Sequence, residues 1–305
     1  MSGPLVALTG GTGFVGRAAL DALAKSGARV RALARTVPEG ADAAEWVRGD
    51  LSDRAALGRL VEGTEAVIHV AGLTTATDPS AFEAANVTGT LNLLEVAAAA
   101  GVPRFVFVSS LSAREPELSA YGASKARAEM LVKASGLDWT IVRPPGVYGP
   151  WDVDYLEMFK LARCGVVPVP PPGRSSLLHV TDLAALLAAL VPGGEAVSGH
   201  VFEPDDGQAG GWTHRELAHL IGWAVGRRPW VVHLPRAVLE QAARADRFVR
   251  RGRARLTADR VGYMAHTDWV ARAAMAVPRE IWTPRIATRE GMKMTAQWYR
   301  DNRWL

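Results

Sequence analysis

Hydrophobic positions in the first half of the chain follow two alternating patterns. Leu5–Thr9, Arg29–Leu33, Ala66–Val70, Arg104–Ser109 and Thr140–Val142 are short, apolar and mostly β-branched. Such runs read as strands buried on both faces of a parallel sheet. Between them lie the Ala- and Leu-rich stretches Phe14–Ser26, Asp53–Val61, Ser80–Ala100 and Ala120–Ser135, which predict helices. Gly27, Gly63, Gly101 and Gly136 stand where each helix should close. This alternation implies right-handed βαβ crossovers and a doubly wound parallel sheet. The sheet is expected over residues 1–150, joined by a later strand or two from about 175–205. Residues 151–305 are expected to form a smaller, mixed part, with Pro168–Pro172 as a stiff turn or linker.

Composition narrows the class. At 305 residues the chain can bury a sizeable core without disulfides. Its single cysteine, Cys164, leaves no internal disulfide and argues against a cysteine zinc site. Apolar residues make up 49% and charged residues 22%, which excludes a disordered, collagen-like or coiled-coil chain. The apolar run Leu183–Val191 is far shorter than the about 20 residues a transmembrane helix needs. Met1-Ser2-Gly3-Pro4 leads into Leu5 without a basic signal-peptide stretch, so a cytoplasmic location is expected. The net charge of +4 is unevenly spread: residues 1–150 carry 14 basic and 15 acidic side chains, residues 151–305 carry 21 and 16. The excess is concentrated among the seven arginines of Arg244–Arg260, so it does not describe a generally nucleic-acid-coating surface. Eight of the ten tryptophans also follow residue 150, and the two halves are expected to have different jobs.

Thr9-Gly10-Gly11-Thr12-Gly13-Phe14-Val15-Gly16 lies between the first strand and the first helix. Gly10 allows the tight turn, Gly13 lets backbone approach a pyrophosphate, and Gly16 lets the helix pack on the strand. The free N–H groups of the helix start at Phe14 and Val15 then face the phosphates. This is a dinucleotide-binding turn in the required strand–turn–helix context. The second strand continues as Arg29-Val30-Arg31-Ala32-Leu33-Ala34-Arg35, with no acid before Glu39 to hold a ribose 2′-hydroxyl. Arg35 stands where a 2′-phosphate would be met, which favours NADP(H), with NAD(H) the second choice.

Tyr121 and Lys125 are spaced i, i+4 on one helix face, where the ammonium is expected to lower the phenol's pKa and make it an acid/base. Upstream, the strand ending at Val108 delivers Ser109-Ser110 to the crevice at the sheet's carboxyl end. With these residues the chain resembles the short-chain dehydrogenases/reductases. It is closest to their extended or atypical branch, the NAD-dependent epimerase/dehydratase-like proteins. The resemblance is carried by Thr9–Gly16, Gly49-Asp50-Leu51, His69-Val70-Ala71-Gly72, Asn86, Val108-Ser109-Ser110, Tyr121…Lys125, Arg143–Pro150 and His179–Asp182, in family order. Gln297-Trp298-Tyr299-Arg300 resembles the family's terminal helix, so the likeness is nearly full length.

The resemblance implies a Rossmann-like α/β fold and a role for each matching residue. Tyr121 exchanges a proton with the substrate oxygen, Lys125 tunes Tyr121 and holds the nicotinamide ribose, and Ser110 hydrogen-bonds the reacting oxygen. Ser109 and Ser112 are near neighbours that compete for that last role. Asn86 supports a proton relay. Asp50 and Leu51 meet the adenine, while Ala71, Gly72, Pro144 and Val147 line the cofactor cleft with Gly10, Thr12, Gly13, Phe14, Val15, Gly16 and Arg35. Family members often pair through helices matching Ser80–Ala100 and Ala120–Ser135, which makes a homodimer one expectation.

Three functions follow from this pattern. The first is an NADP(H)-dependent ketone reductase or secondary-alcohol dehydrogenase acting on a hydrophobic or lipid-like substrate. The second is a nucleotide-sugar epimerase or dehydratase with tightly bound NAD. The third is a non-catalytic nucleotide-binding accessory protein. Intact Tyr121, Lys125 and Ser110 weigh against the third. Trp151-Asp152, where the sugar enzymes commonly carry Gly-Asn, together with Ser175–Leu178 and Arg35, weighs against the second. Pro235–Arg255 interleaves Val238, Leu239, Ala242, Phe248 and Val249 with arginines, a pattern of either a solvated surface helix or a peripheral membrane helix on the inner face. His214 and His219 are about 140° apart around a helix, so no metal is expected there. No Ser-hydrolase elbow and no nucleic-acid module is present.

Overall fold

The computed structural model describes residues 3–40, 42–250, 254 and 256–305. Strands β1 (Leu5–Thr9), β2 (Arg29–Ala34), β3 (Glu45–Arg48), β4 (Ala66–His69), β5 (Arg104–Val108), β6 (Asp138–Val142) and, later in the chain, β11 (His200–Phe202) form one parallel sheet. Its order is β11-β6-β5-β4-β1-β2-β3. Alternate residues face opposite layers. Val6, Leu8, Ile68, Val106 and Val142 pack with helix α1 (Phe14–Lys25) and helix α7 (Val180–Ala189). Ala7, Val67, Phe105, Phe107 and Ile141 pack with α2 (Arg54–Val61), α4 (Gly89–Ala99) and α5 (Ala120–Ala134). Both faces are covered, which is why the strands are continuous apolar runs. The apolar stretch around Leu183 belongs to α7, with Leu183, Leu186 and Leu187 fully buried against the sheet.

Gly27, Gly63, Gly101 and Gly136 all have positive φ at helix ends, as their placement predicts. Two features depart from the expected pattern. Strand β3 carries no apolar pattern in the sequence, because Val47 is its single buried residue and the strand forms the polar edge of the sheet. The helix expected over Ser80–Ala100 is instead a short α3 (Pro79–Phe82), a π-helical turn (Glu83–Thr88) and then α4.

The remaining chain builds on the carboxyl end of the sheet. Strand β7 (Gly146–Tyr148) pairs with β10 (Leu177–His179), and β8 (Val166–Val169) pairs with β13 (Trp230–His233), both parallel. Strands β9 (Arg174–Ser175), β12 (Trp212–Thr213) and β14 (Asp268–Trp269) form a third small sheet. Helices α6 (Leu156–Arg163), α8 (His214–Ala224) and α11 (Thr288–Asp301) enclose a second core around Phe159, Ile221 and Tyr299. Helix α9 (Arg236–Arg250) packs on α10 (Ala258–Met264). The end of the basic stretch, residues 251–253 and 255, lies outside the described residues. Trp151 adopts φ 72°, a backbone shape that favours glycine; its ring packs at a tilt against Trp298, and the Arg17 guanidinium lies over it. Among the described residues no helix is long and apolar enough to cross a membrane.

The tightest approach in the sheet layer is at the glycine turn. A Cβ on Gly16 would lie 1.9 Å from the Gly10 carbonyl oxygen, a backbone atom that cannot rotate away. Gly16→Ala is expected to cost about 1–3 kcal/mol through overpacking, seen as a lower urea midpoint. An unchanged midpoint would show that the turn opens freely.

Candidate active site

The site forms at the carboxyl ends of β1, β4 and β5, where the doubly wound sheet opens. Gly10 has φ +77°, and a Cβ there would lie 2.7 Å from the Ala71 amide nitrogen. The first turn after β1 thus lies directly against the turn after β4. Gly13 caps α1 without a side-chain hydrogen bond, so the N–H groups of the helix start at Phe14 and Val15 are open to an anion. Arg17 reaches back to the Thr12 carbonyl at 3.0 Å and braces the turn. These features fit a dinucleotide pyrophosphate: bare glycine backbone, close turns and an uncapped helix start.

A directional hydrogen-bond chain ties this turn to Asn86. The Ala71 N–H donates to Thr9 Oγ1 at 3.2 Å, and Thr9 lies 2.6 Å from His69 Nδ1. His69 Nε2 lies 2.9 Å from Thr90 Oγ1, which donates to the Asn86 carbonyl at 2.6 Å. With the Thr90 proton so committed, His69 must donate from Nε2 and accept at Nδ1. Burial pushes His69 down to about 3, with Lys125 adding to the effect, so the ring stays neutral as this chain requires. The π-helical turn presents the Asn86 amide to Leu73, accepting from its N–H at 2.7 Å and donating to its carbonyl at 2.9 Å. The second amide hydrogen goes to Ser124 Oγ at 2.9 Å. Both donors are used, so the side chain clamps Leu73 rather than offering a spare proton to a relay.

Tyr121 and Lys125 sit on the first turns of α5, capped by Ser119. Both are buried, and burial moves them in opposite directions. Tyr121 is pushed up to about 12, opposed by a hydrogen bond with Ser110. Lys125 is pushed down to about 8, opposed by the Glu129 carboxylate. The lowering of Tyr121 expected from its lysine neighbour is therefore not found. The Lys125 ammonium donates to the Val108 carbonyl at 2.7 Å and lies 4.5 Å from the centre of the Phe107 ring. A Cβ on Gly72 would lie 3.1 Å from Asn86 Oδ1 and 3.7 Å from Lys125 Nζ, so these three residues line one spot.

The neighbouring serines are separated by their partners. Ser109 is buried and donates to Glu129 Oε1 at 2.6 Å. Ser112 is buried in the turn after β5. Ser110 is the serine that meets Tyr121. Glu129 also accepts from Arg143 at 2.8 and 2.6 Å, and Arg143 reaches Glu203 at 3.5 Å. Glu203 in turn is 3.3 Å from Arg114. Pro144 is buried and accepts from the Leu111 N–H at 3.1 Å, while Val147 is half-buried beside the core that holds α1.

On the far side of the glycine turn, Arg35 is exposed at the end of β2 and electrostatically lowers Asp50, whose carboxylate is held mainly by Ser52. Leu51 packs against Gly89, and its carbonyl accepts from Asn92 at 2.9 Å. Two further residues escape sequence reasoning. Arg48 pairs in register with Ala34, placing a second exposed arginine on the strand next to the end of β2. The Tyr263 ring on α10 lies 6.2 Å from Tyr121, and the Phe82 ring lies 5.9 Å from it. No local spacing signals either, since both approach through tertiary packing.

Residues 6–202 match the NAD dependent epimerase/dehydratase family. The chain is 38% identical to a ceramide reductase of Caulobacter vibrioides across 99% of this chain and 96% of that protein. In solved structures it is similar to gox2253, at 25% identity, with a TM-score of 0.79 and 98% of both chains covered. It is also similar in fold to MoeE5 in complex with UDP-glucose and NAD, at 24% identity, with a TM-score of 0.73 and 98% and 99% of the two chains covered.

Burial holds Lys125 below its ordinary value of 10.5, so between about 8 and 10.5 the unfolded chain binds this proton more tightly than the folded one. The stability of the wild type relative to Lys125→Met is expected to rise with pH across that window and to be flat below it. Urea unfolding of both proteins on either side of about pH 8 checks this. Parallel pH curves would place the ammonium in a solvated setting.

Proposed function

The chain belongs to the NAD-dependent epimerase/dehydratase family, and we propose that it is an NADP(H)-dependent ketone reductase acting on a hydrophobic, lipid-like substrate. The observation that carries this reading is the state of Tyr121: a buried phenol, kept protonated near neutral pH and hydrogen-bonded to Ser110. A neutral phenol at the mouth of a dinucleotide cleft is a general acid. It suits reduction of a carbonyl, whose oxygen needs a proton as its carbon gains hydride.

When bound, the nicotinamide supplies that hydride. Ser110 and Tyr121 hold the carbonyl oxygen, and the Tyr121 O–H proton passes to it, so C=O becomes CH–OH. Lys125, held on the Val108 carbonyl beside Gly72, would meet the nicotinamide ribose with its ammonium. Asn86 and His69 keep the Leu73 and Ala71 turns in position for the cofactor. Arg35, seconded by Arg48, supports a 2′-phosphate, with Asp50 the acid nearby. The aromatic walls given by Phe82 and Tyr263 suit an apolar substrate. The likeness to a ceramide reductase over nearly the whole of both chains supports a lipid ketone.

The family also contains epimerases and dehydratases, and the fold shared with MoeE5 keeps a nucleotide-sugar reading as the second choice. Trp151 weighs against it, since it fills the position after Pro150 with a large ring packed on Trp298 rather than a small residue. A mass spectrum of the denatured protein separates the two readings. Tightly retained NAD(H) would replace the reductase reading with an internal-redox one.

Two variants test the assignment. Tyr121→Phe is expected to retain NADPH binding in calorimetry and to lose turnover by about 10²–10⁴-fold; retained turnover would remove Tyr121 from the chemistry. Arg35→Ala is expected to weaken NADPH by about tenfold or more, as loss of a charge-assisted phosphate contact does, and to leave NADH nearly unchanged. Equal losses for both cofactors would show that Arg35 does not meet the 2′-phosphate.

A further inference from the structure

Helix α10 roofs the reactive tyrosine. Its Tyr263 faces Tyr121, its Asp259 accepts from the Ala120 N–H at 2.5 Å, and its Arg260 is paired with Asp154 at 2.9 Å. Behind α10 lies α9, held through a narrow buried edge of Leu239 and Ala243 on Val261. The rest of α9 does not match an ordinary solvated helix. Val238, Ala242, Ala245 and Val249 recur at i, i+4, i+7 and i+11, so they form one stripe along the helix, and all are exposed. Val249 is 77% exposed and the adjacent Phe248 85%.

The two-stranded ribbon that leads into α9 has the same character. Val167 and Val169 point inward, while Val166 and Pro168 are exposed. Their register partners Trp230 and Val232 are exposed with them, Trp230 by 79%. Only Leu234 and Pro235 separate this ribbon from α9. The border is basic: Arg227 and Arg228 precede the ribbon, and α9 carries four exposed arginines against Glu240 and Asp246. Of those four, Arg236 pairs with Glu240 and Arg250 with Asp246.

Exposed Phe, Trp and Val in one continuous segment, bordered by arginines, match the chemistry of an interfacial element: apolar groups for the acyl boundary, guanidinium groups for anionic headgroups. The basic border favours an anionic bilayer over a second copy of this chain, whose matching face would be equally basic. We infer that the outer faces of β13 and α9 dock on an anionic lipid bilayer, which places the roof of the Tyr121 site at the membrane surface. The docking stands on these residues alone. Its use, delivery of a lipid ketone to Tyr121, rests on the reductase reading.

Flotation of the full-length protein with phosphatidylcholine vesicles, with and without phosphatidylglycerol, tests the docking. Each arginine near an anionic leaflet is worth about fivefold in partitioning, so binding should require phosphatidylglycerol and weaken with salt. Replacing Phe248 and Val249 together by Ser, or Trp230 by Ser, is expected to lower the bound fraction about tenfold or more. Arg244→Glu with Arg247→Glu should do the same. All variants should keep NADPH binding and turnover of a water-soluble short-chain ketone. If the wild type ignores anionic vesicles, or if the variants bind as it does, the proposal fails. It fails equally if ultracentrifugation shows a dimer that Phe248→Ser dissolves, which would make the face a contact between copies. Wild-type vesicle binding in a protein that reduces no ketone would leave the docking standing and overturn only its link to the reductase reading.

Discussion

Glu129 and Glu203 are buried together near the carboxyl ends of β5, β6 and edge strand β11, and Arg143 lies between them. Two carboxylates out of water need a paired cation, because the loss of hydration is otherwise several kcal/mol for each ion. Arg143 meets that need from the end of β6, and Arg114 supports Glu203 from the turn after β5. The result ties four separate parts of the chain to one another. Glu129 orients α5, Ser109 ends β5 on it, Glu203 ends β11, and the Arg272 N–H donates to Glu203 at 2.9 Å. Lys125 and Tyr121 stand one and two turns before Glu129 on the same helix, so their position follows from this cluster.

The site above the cluster works by contrast. Burial keeps the phenol of Tyr121 protonated and draws the Lys125 ammonium toward neutrality, two effects of one desolvated environment on acids of opposite charge type. The lysine does not bond the tyrosine; it is held on the Val108 carbonyl and the Phe107 ring. On the other side, His69 transmits the position of the glycine turn to Asn86 through two threonines, each with its proton direction determined. The cofactor cleft and the π-helical turn are thereby held in one register. A neutral acid, a nearby cation and a rigid dinucleotide cradle form a consistent set for carbonyl reduction.

The second half of the chain closes this arrangement rather than adding reactive groups. Trp151 links the glycine helix to the terminal helix through Arg17 and Trp298, and Asp182 accepts from the Arg285 and Ile286 N–H groups. Helix α10 brings Tyr263 over Tyr121. Tyr121 is thus covered by a helix far along the chain from its own.

What the sequence by itself determined is whatever depends on neighbours along the chain. Alternating apolar runs and helical stretches, with glycines closing the helices, produced the doubly wound sheet, because both faces of each strand are buried in it. The Gly10–Gly16 spacing and the Tyr121–Lys125 interval were legible for the same reason, since a turn and one helical repeat are local geometry. Tertiary structure decided the rest. Edge strand β3 has only Val47 buried, too little for an apolar pattern to register, and the π-helical turn that aims Asn86 has no compositional mark. Which serine meets Tyr121 depended on Glu129 claiming Ser109, and the direction of Lys125 depended on Val108 and Phe107 across the fold. The ionisation of Tyr121 runs opposite to the local expectation because burial, a property of the assembled core, is the largest influence on it, while Lys125 is held on the Val108 carbonyl.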